Sequence, residues 1–288
     1  MGKLPQRVVE EWINETERPF TYADICSELG IAPDSPNRDY LREILKRLRK
    51  AGIVAYAEGA RHGVFRRKEK ERQRMSLSQA NPKLQLSIRW PFELERYVKI
   101  FRRNLIIVWG SKDAGKTAFL INFMRLNMEK WKHRIQYFNV DMGAEELRGR
   151  IERFDDTTID MWDDYVLMEE RGINFVDFIE PDWINIIDFL EVSTDFYRIG
   201  GIIKEMLDKV VGSGILVVAV QKNKDAEYGL GGQRTIERAK LVVTLDPGII
   251  KILVGKNWQD GITNSPKGRS WTYKLIGGTK IVNIQEVG

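Results

Sequence analysis

Eight residues constrain this chain more than any others: Gly110-Ser111-Lys112-Asp113-Ala114-Gly115-Lys116-Thr117, a complete GxxxxGK(S/T) pattern. The run before it, residues 104–109 (NLIIVW), is apolar after its first position, as a strand buried on both faces requires; residues 118–124 (AFLINFM) open a helix. A turn between such a strand and helix aims backbone N–H groups and the positive helix end at one place, which suits a phosphate group. Glycines let the backbone approach closely. Lys116 is expected to reach the β- and γ-phosphates as a point charge, and Thr117 to offer its hydroxyl to Mg²⁺. Gly110, Ser111, Lys112, Asp113, Ala114, Gly115, Lys116 and Thr117 are therefore the expected nucleotide-binding set.

Three later runs repeat the theme. Residues 135–140 (IQYFNV) lead into Asp141, residues 183–187 (WINII) into Asp188, and residues 214–220 (GILVVAV) into Gln221. In an open parallel sheet the carboxyl ends of strands line the ligand crevice, so Asp141, Asp188 and Gln221 are expected to converge on the phosphates of an α/β domain. Asp188 suits the holding of Mg²⁺ through water, because a carboxylate is the hard oxygen donor that this ion prefers. Asp141 is either a general base or water-orienting group, or the N-cap of a helix beginning near Gly143. Gln221 either senses the γ-phosphate through its amide or satisfies local backbone groups.

A length of 288 residues suits two domains better than one. Lys plus Arg number 46 and Asp plus Glu 41, a mild excess of +5, but residues 38–74 alone hold 13 basic and 5 acidic side chains. The positive field is thus concentrated near the N-terminus, where it can attract a polyanion. Within that region Val8, Val9 and Trp12 recur at helical spacing, Thr21 stands as an N-cap, and Leu41, Ile44, Leu45 and Leu48 form one stripe of a third helix beside Arg38, Arg42, Lys46 and Arg49. Two short strands around a glycine-containing turn follow. Three helices and a basic hairpin resemble the winged helix-turn-helix family over residues 4–69. The resemblance implies DNA contacts by Asn37, Arg38, Arg42, Lys46 and Arg49, with Arg61, Arg66 and Arg67 in or near the wing; the same fold also serves protein contacts. Residues 70–98 read as a linker and residues 99–288 as the second domain.

The ordered segments GSKDAGKT, YFNVDMGAEELRGR, INIIDFLEV, ILVVAVQKN and GGQRTIERAKLVVTLD resemble the RecA-like ATPase core, particularly that of DnaB-type replicative helicases. The resemblance implies ATP and Mg²⁺ as cofactors and Lys116, Asp141, Asp188 and Gln221 as catalytic residues, with Thr117 and Asp188 toward the metal. It also implies a homo-oligomeric ring or filament, DNA as partner, and replication or recombination proteins nearby. Lys222, Lys224 and Arg234 flank a glycine-rich stretch where this fold carries a DNA-contacting loop. Two departures stand out. An aspartate occupies position 141 where the family usually has glutamate, and Trp258 replaces the arginine of the Lys-x-Arg element that reaches a neighbouring subunit's phosphate. Lys256 keeps one charge there; Arg269 or Lys267 are further candidates for a finger acting in trans.

Cys26 is the only cysteine and His62 and His133 the only histidines, which argues against a disulfide framework or an imidazole-thiolate metal site. The longest wholly apolar run, residues 215–220, falls far short of the ~20 residues that cross a bilayer. A reducing, cytoplasmic setting without membrane association is the expectation. The acidic residues Asp155, Asp156, Asp160, Asp163 and Asp164 lack a calcium-loop pattern and read as a solvated surface.

Overall fold

The computed structural model describes residues 3–16, 18–58, 63–69, 75–190, 199–223, 226 and 228–287, without the side chain of Arg234. The chain divides into two compact units, residues 1–80 and 81–288.

In the first unit, helix α1 (Gln6–Glu15) is followed by β1 (Phe20–Thr21), α2 (Tyr22–Glu28), α3 (Asn37–Lys50), β2 (Val54–Tyr56) and β3 (Val64–Arg67). Thr21 caps α2 reciprocally: its hydroxyl accepts from Asp24 N, and the Asp24 carboxylate accepts from Thr21 N at 2.6 Å. At the far end of α3, Gly52 takes φ +72° while its N–H and that of Ile53 bond back to the carbonyls of Arg49 and Leu48. That left-handed residue turns the chain into β2. The stripe predicted for α3, Leu41, Ile44, Leu45 and Leu48, is buried against Val9, Ile13, Phe20 and Ile25. The strands form an antiparallel sheet in the order β1-β3-β2.

In the second unit the elements are β4 (Leu105–Gly110), α4 (Lys116–Asn127), β5 (Ile135–Asn139), α5 (Ala144–Ile151), α6 (Ile159–Tyr165), β6 (Val166–Glu170), β7 (Ile184–Leu190), α7 (Ile199–Lys209), β8 (Ile215–Gln221), α8 (Gln233–Ile236) and β9 (Ala239–Asp246). An antiparallel meander of β10 (Ile249–Gly255), β11 (Ser270–Ile276) and β12 (Lys280–Val287) follows. Among the described residues the sheet runs β12-β11-β10-β9-β4-β8-β7-β5-β6, parallel from β9 to β6. β4 is buried at every position. Ile106 and Val108 face one core, with α4 and Phe119; Leu105, Ile107 and Trp109 face the other, with α7. This is the two-residue period of a strand covered on both sides.

The expected linker is shorter than residues 70–98. Ile88, Trp90, Phe92 and Leu94 are core residues of the second unit, Leu86 N bonds Ile100 O at 2.7 Å, and the Trp90 ring stacks on Phe123 with centroids 4.3 Å apart. The alternation of Leu84, Leu86, Ile88 and Trp90 is the signal that charge-rich flanking sequence obscured. Among the described residues no helix is long and apolar enough to cross a membrane.

Candidate functional site

β4 ends at Gly110 and α4 begins at Lys116, so the loop between them, residues 111–115, sits at the carboxyl edge of the parallel sheet. Asp113 (φ +59°) and Gly115 (φ +88°) supply the left-handed turns. A Cβ at Gly110 would stand 2.5 Å from Lys116 Cγ, and one at Gly115 2.7 Å from Leu275 Cδ1. Gly115 is the N-cap and provides no side chain to the first helical N–H groups, which leaves them available to an anion. Lys116 arches back over the loop, its Nζ donating to Gly110 O at 3.2 Å and Ser111 O at 3.1 Å. Burial lowers its pKa; the carboxylates of Asp188, Asp113 and Asp141, in that order, oppose the shift. One ammonium is therefore within electrostatic reach of both carboxylates singled out in the sequence.

Asp188 lies within β7, two residues before its end, rather than just past the strand. The parallel ladder continues beyond it, Val140 N bonding Asp188 O at 3.0 Å. Its side chain is buried. The Tyr137 hydroxyl donates to Oδ2 at 2.6 Å, whereas Oδ1 is buried with no hydrogen-bond partner among the described residues. Burial raises its pKa, countered by the hydroxyls of Tyr137 and Thr117 and by the charges of Lys116 and Arg150. The same burial, with the Asp188 charge, pushes the Tyr137 phenol well up. An orphaned carboxylate oxygen beside a threonine hydroxyl at a phosphate-type loop is a hard-oxygen donor set, and it fits Mg²⁺. This ion takes one or two protein oxygens and fills its octahedron with water and phosphate. Among the described residues no group of three His, Cys, Asp or Glu forms an all-protein metal cage.

Asp141 is exposed on the turn between β5 and α5. Asn139 builds that turn, its Oδ1 accepting from Met142 N at 3.2 Å and its amide donating to Met142 O. The N-cap of α5 is Gly143, so the capping alternative for Asp141 is not what the structure contains. Gln221 closes β8 directly opposite Gly110, and its carbonyl accepts from Leu230 N at 2.9 Å.

Three residues that the sequence did not single out brace the loop. Asp246, the last residue of β9, accepts from Ser111 Oγ at 3.2 Å and from Lys222 Nζ at 2.7 Å. Tyr273 on β11 donates its hydroxyl to Ala114 O at 2.7 Å, and Leu275 covers Gly115. Asp246 carries the same signature as Asp188, an acid after a buried run. Tyr273 carries none. The brace corrects the expectation for Lys222: its side chain is only 2% exposed, and its remaining bond goes to Ala226 O, so it does not present a charge to DNA. Lys224, Arg61 and the Arg234 side chain lie outside the described residues.

The finger candidates have intrachain partners. Lys256 Nζ donates to Glu237 O at 3.0 Å, Trp258 Nε1 to Gly255 O at 2.9 Å, and Arg269 pairs with Glu286 over the Tyr97 ring; Lys267 is exposed. In the first unit Asn37 Oδ1 accepts from Leu4 N, Arg67 donates to Asn14 O, and Arg66 pairs with Glu58. Arg42 and Lys46 are exposed with Asp39 and Glu43 beside them; Arg38 and Arg42 lie over Tyr22, and Arg49 over Tyr56.

No protein-family model matches the chain, and no curated protein matches it. Among solved structures it is similar to the KaiC-like protein PH0186 from Pyrococcus horikoshii OT3, at 15% identity and a TM-score of 0.50 over 71% of this chain and 100% of that one. It is also similar to the ATPase domain of a DnaB-type helicase, at 14% identity and a TM-score of 0.44, over 64% and 86%. The first likeness is one of fold, and with the largely parallel sheet and the loop after β4 it places the second unit among RecA-like P-loop ATPase folds.

Proposed function

We propose that the chain is an ATP-dependent, DNA-binding motor or remodeller of the DnaB/RecA-like kind, working as a homo-oligomer. One observation carries the reading: Asp188 keeps a buried, unpartnered oxygen next to Thr117 and Lys116 at the mouth of the phosphate loop. An unsatisfied buried polar atom costs about 1–3 kcal/mol, so a site that retains one is poised for a ligand that completes it. Bound Mg²⁺ would neutralise charge on the phosphate oxygens. The loop N–H groups and Lys116 hold the phosphates, Asp141 on its exposed turn orients water, and Gln221 links the site to the loop reached through Leu230. The order α1-β1-α2-α3-β2-β3 and the β1-β3-β2 sheet support the winged-helix reading of the first unit, with its cations toward DNA.

A second reading, an ATP-regulated DNA-bound loader with slow hydrolysis, is favoured by Trp258 in the finger position and by the intrachain partners of Lys256 and Arg269. Calorimetry of the full chain with Mg²⁺ and ATP is expected to show saturable heat that Lys116→Ala abolishes. No heat in the unaltered chain overturns the nucleotide reading. DNA-stimulated turnover with strand displacement selects the motor, and nucleotide-dependent assembly without displacement selects the loader.

A further inference from the structure

Between α3 and the β2–β3 hairpin lies a groove of about 390 Å³, within the range of ligand pockets, lined by Tyr22, Tyr56 and Phe65 and rimmed by Arg42, Lys46 and Arg49. Its aromatic rings form a continuous set: Tyr56 and Phe65 stack at 5.3 Å with planes 27° apart, and Phe65 stacks on Phe20 at 6.2 Å. Arg42 lies 5.4 Å from the centroid of Tyr22, and Arg49 4.7 Å from that of Tyr56. Cations thus sit beside the ring faces.

That chemistry differs from what reads a duplex. Stacked bases in a duplex expose only their edges, which are read by side chains with free donors and acceptors. Here Asn37, the expected edge reader, uses its Oδ1 on Leu4 N, and Arg38 is turned toward Tyr22. Ring faces within a concave site, ringed by cations, match an unstacked base together with its flanking phosphates. The carboxylates beside Arg42 and Lys46 are exposed, and such surface pairs are weak enough for phosphates to replace them.

We propose that this groove is a single-stranded DNA site, in which an unstacked base lies against Tyr22, Tyr56 and Phe65 while Arg42, Lys46 and Arg49 hold the adjoining phosphates. The inference rests on the DNA-binding reading of the first unit and specifies the form of DNA it takes.

The test uses the full chain without nucleotide. Anisotropy compares an oligo-dT of about fifteen residues, an oligo-rU of equal length and a duplex of equal length; a 5-iodouracil substitution in the oligo-dT maps contacts by photocrosslinking. The expected result is at least about five-fold tighter binding of oligo-dT than of duplex, with adducts on Tyr22, Tyr56 or Phe65. Tyr56→Ala weakens oligo-dT binding by about five-fold or more and leaves duplex binding unchanged, whereas Tyr56→Phe retains it. Equal or tighter duplex binding, tighter oligo-rU binding, adducts confined to residues 81–288, or a Tyr56→Phe loss matching that of Tyr56→Ala each overturns the proposal. Duplex binding alone spares the DNA reading and removes only the single-strand assignment; no binding of any form removes both.

Discussion

At the scale of one residue, Asp188 has the largest consequences, because burial opposes its charge while its function requires that charge. Its folded-state pKa is raised, so the folded protein holds the proton more tightly than the unfolded chain does. Stability is therefore greatest below the unfolded value of about 3.9 and falls as pH climbs through the raised folded value. Asp188→Asn removes the ionisation. Without Mg²⁺ and nucleotide, thermal melts at neutral pH are expected to show a higher Tm for this variant than for the parent, with a flatter dependence between about pH 4 and 7, while the heat of Mg-ATP binding disappears. A lower Tm at neutral pH would contradict the account of burial. The position of Asp188 was legible because an acid directly after an apolar run is conspicuous. Its partner Tyr137 was not, because a tyrosine inside IQYFN reads as ordinary core until β5 is paired with β7.

At the scale of elements, the phosphate loop is held where β4, β8 and β9 end side by side. The ion pair of Lys222 with Asp246 joins the last two strands, and the bond from Ser111 ties the loop to the pair. Asp246→Asn leaves a buried ammonium without its carboxylate. Breaking a fully buried pair costs about 3–5 kcal/mol; Asp246 is partly exposed, so a loss of about 2 kcal/mol is expected in denaturant titrations. The double variant Lys222→Met with Asp246→Asn is expected to recover most of it, since no uncompensated charge remains. Equal instability of the single and double variants would refute the brace. The parallel strands were legible as apolar runs, and the α2 cap from Thr21 and Asp24. β1, only two residues long, has no period to detect, and β12 is largely exposed, so its composition resembles surface loop.

At the scale of the whole molecule, the two units have separate cores, and each is expected to melt by itself. Calorimetric scans should resolve two transitions, of which Mg-ATP shifts only that of the second unit. Ligand at about 100 times Kd stabilises by roughly 2.7 kcal/mol, or about 5–10 °C for a unit of this size. A shift of both transitions together would argue against independent units. The sequence by itself determined the α/β class, the phosphate loop, the carboxylates at strand ends and the helical N-terminal segment, because each depends on spacing within a few residues. Only the tertiary structure decided that residues 81–98 belong to the second core, that Lys222 is an internal brace, and that Tyr22, Tyr56 and Phe65 meet in one groove. Those outcomes depend on which distant segments pack together, and burial of a charge or a ring is a property of that packing rather than of neighbours in the chain.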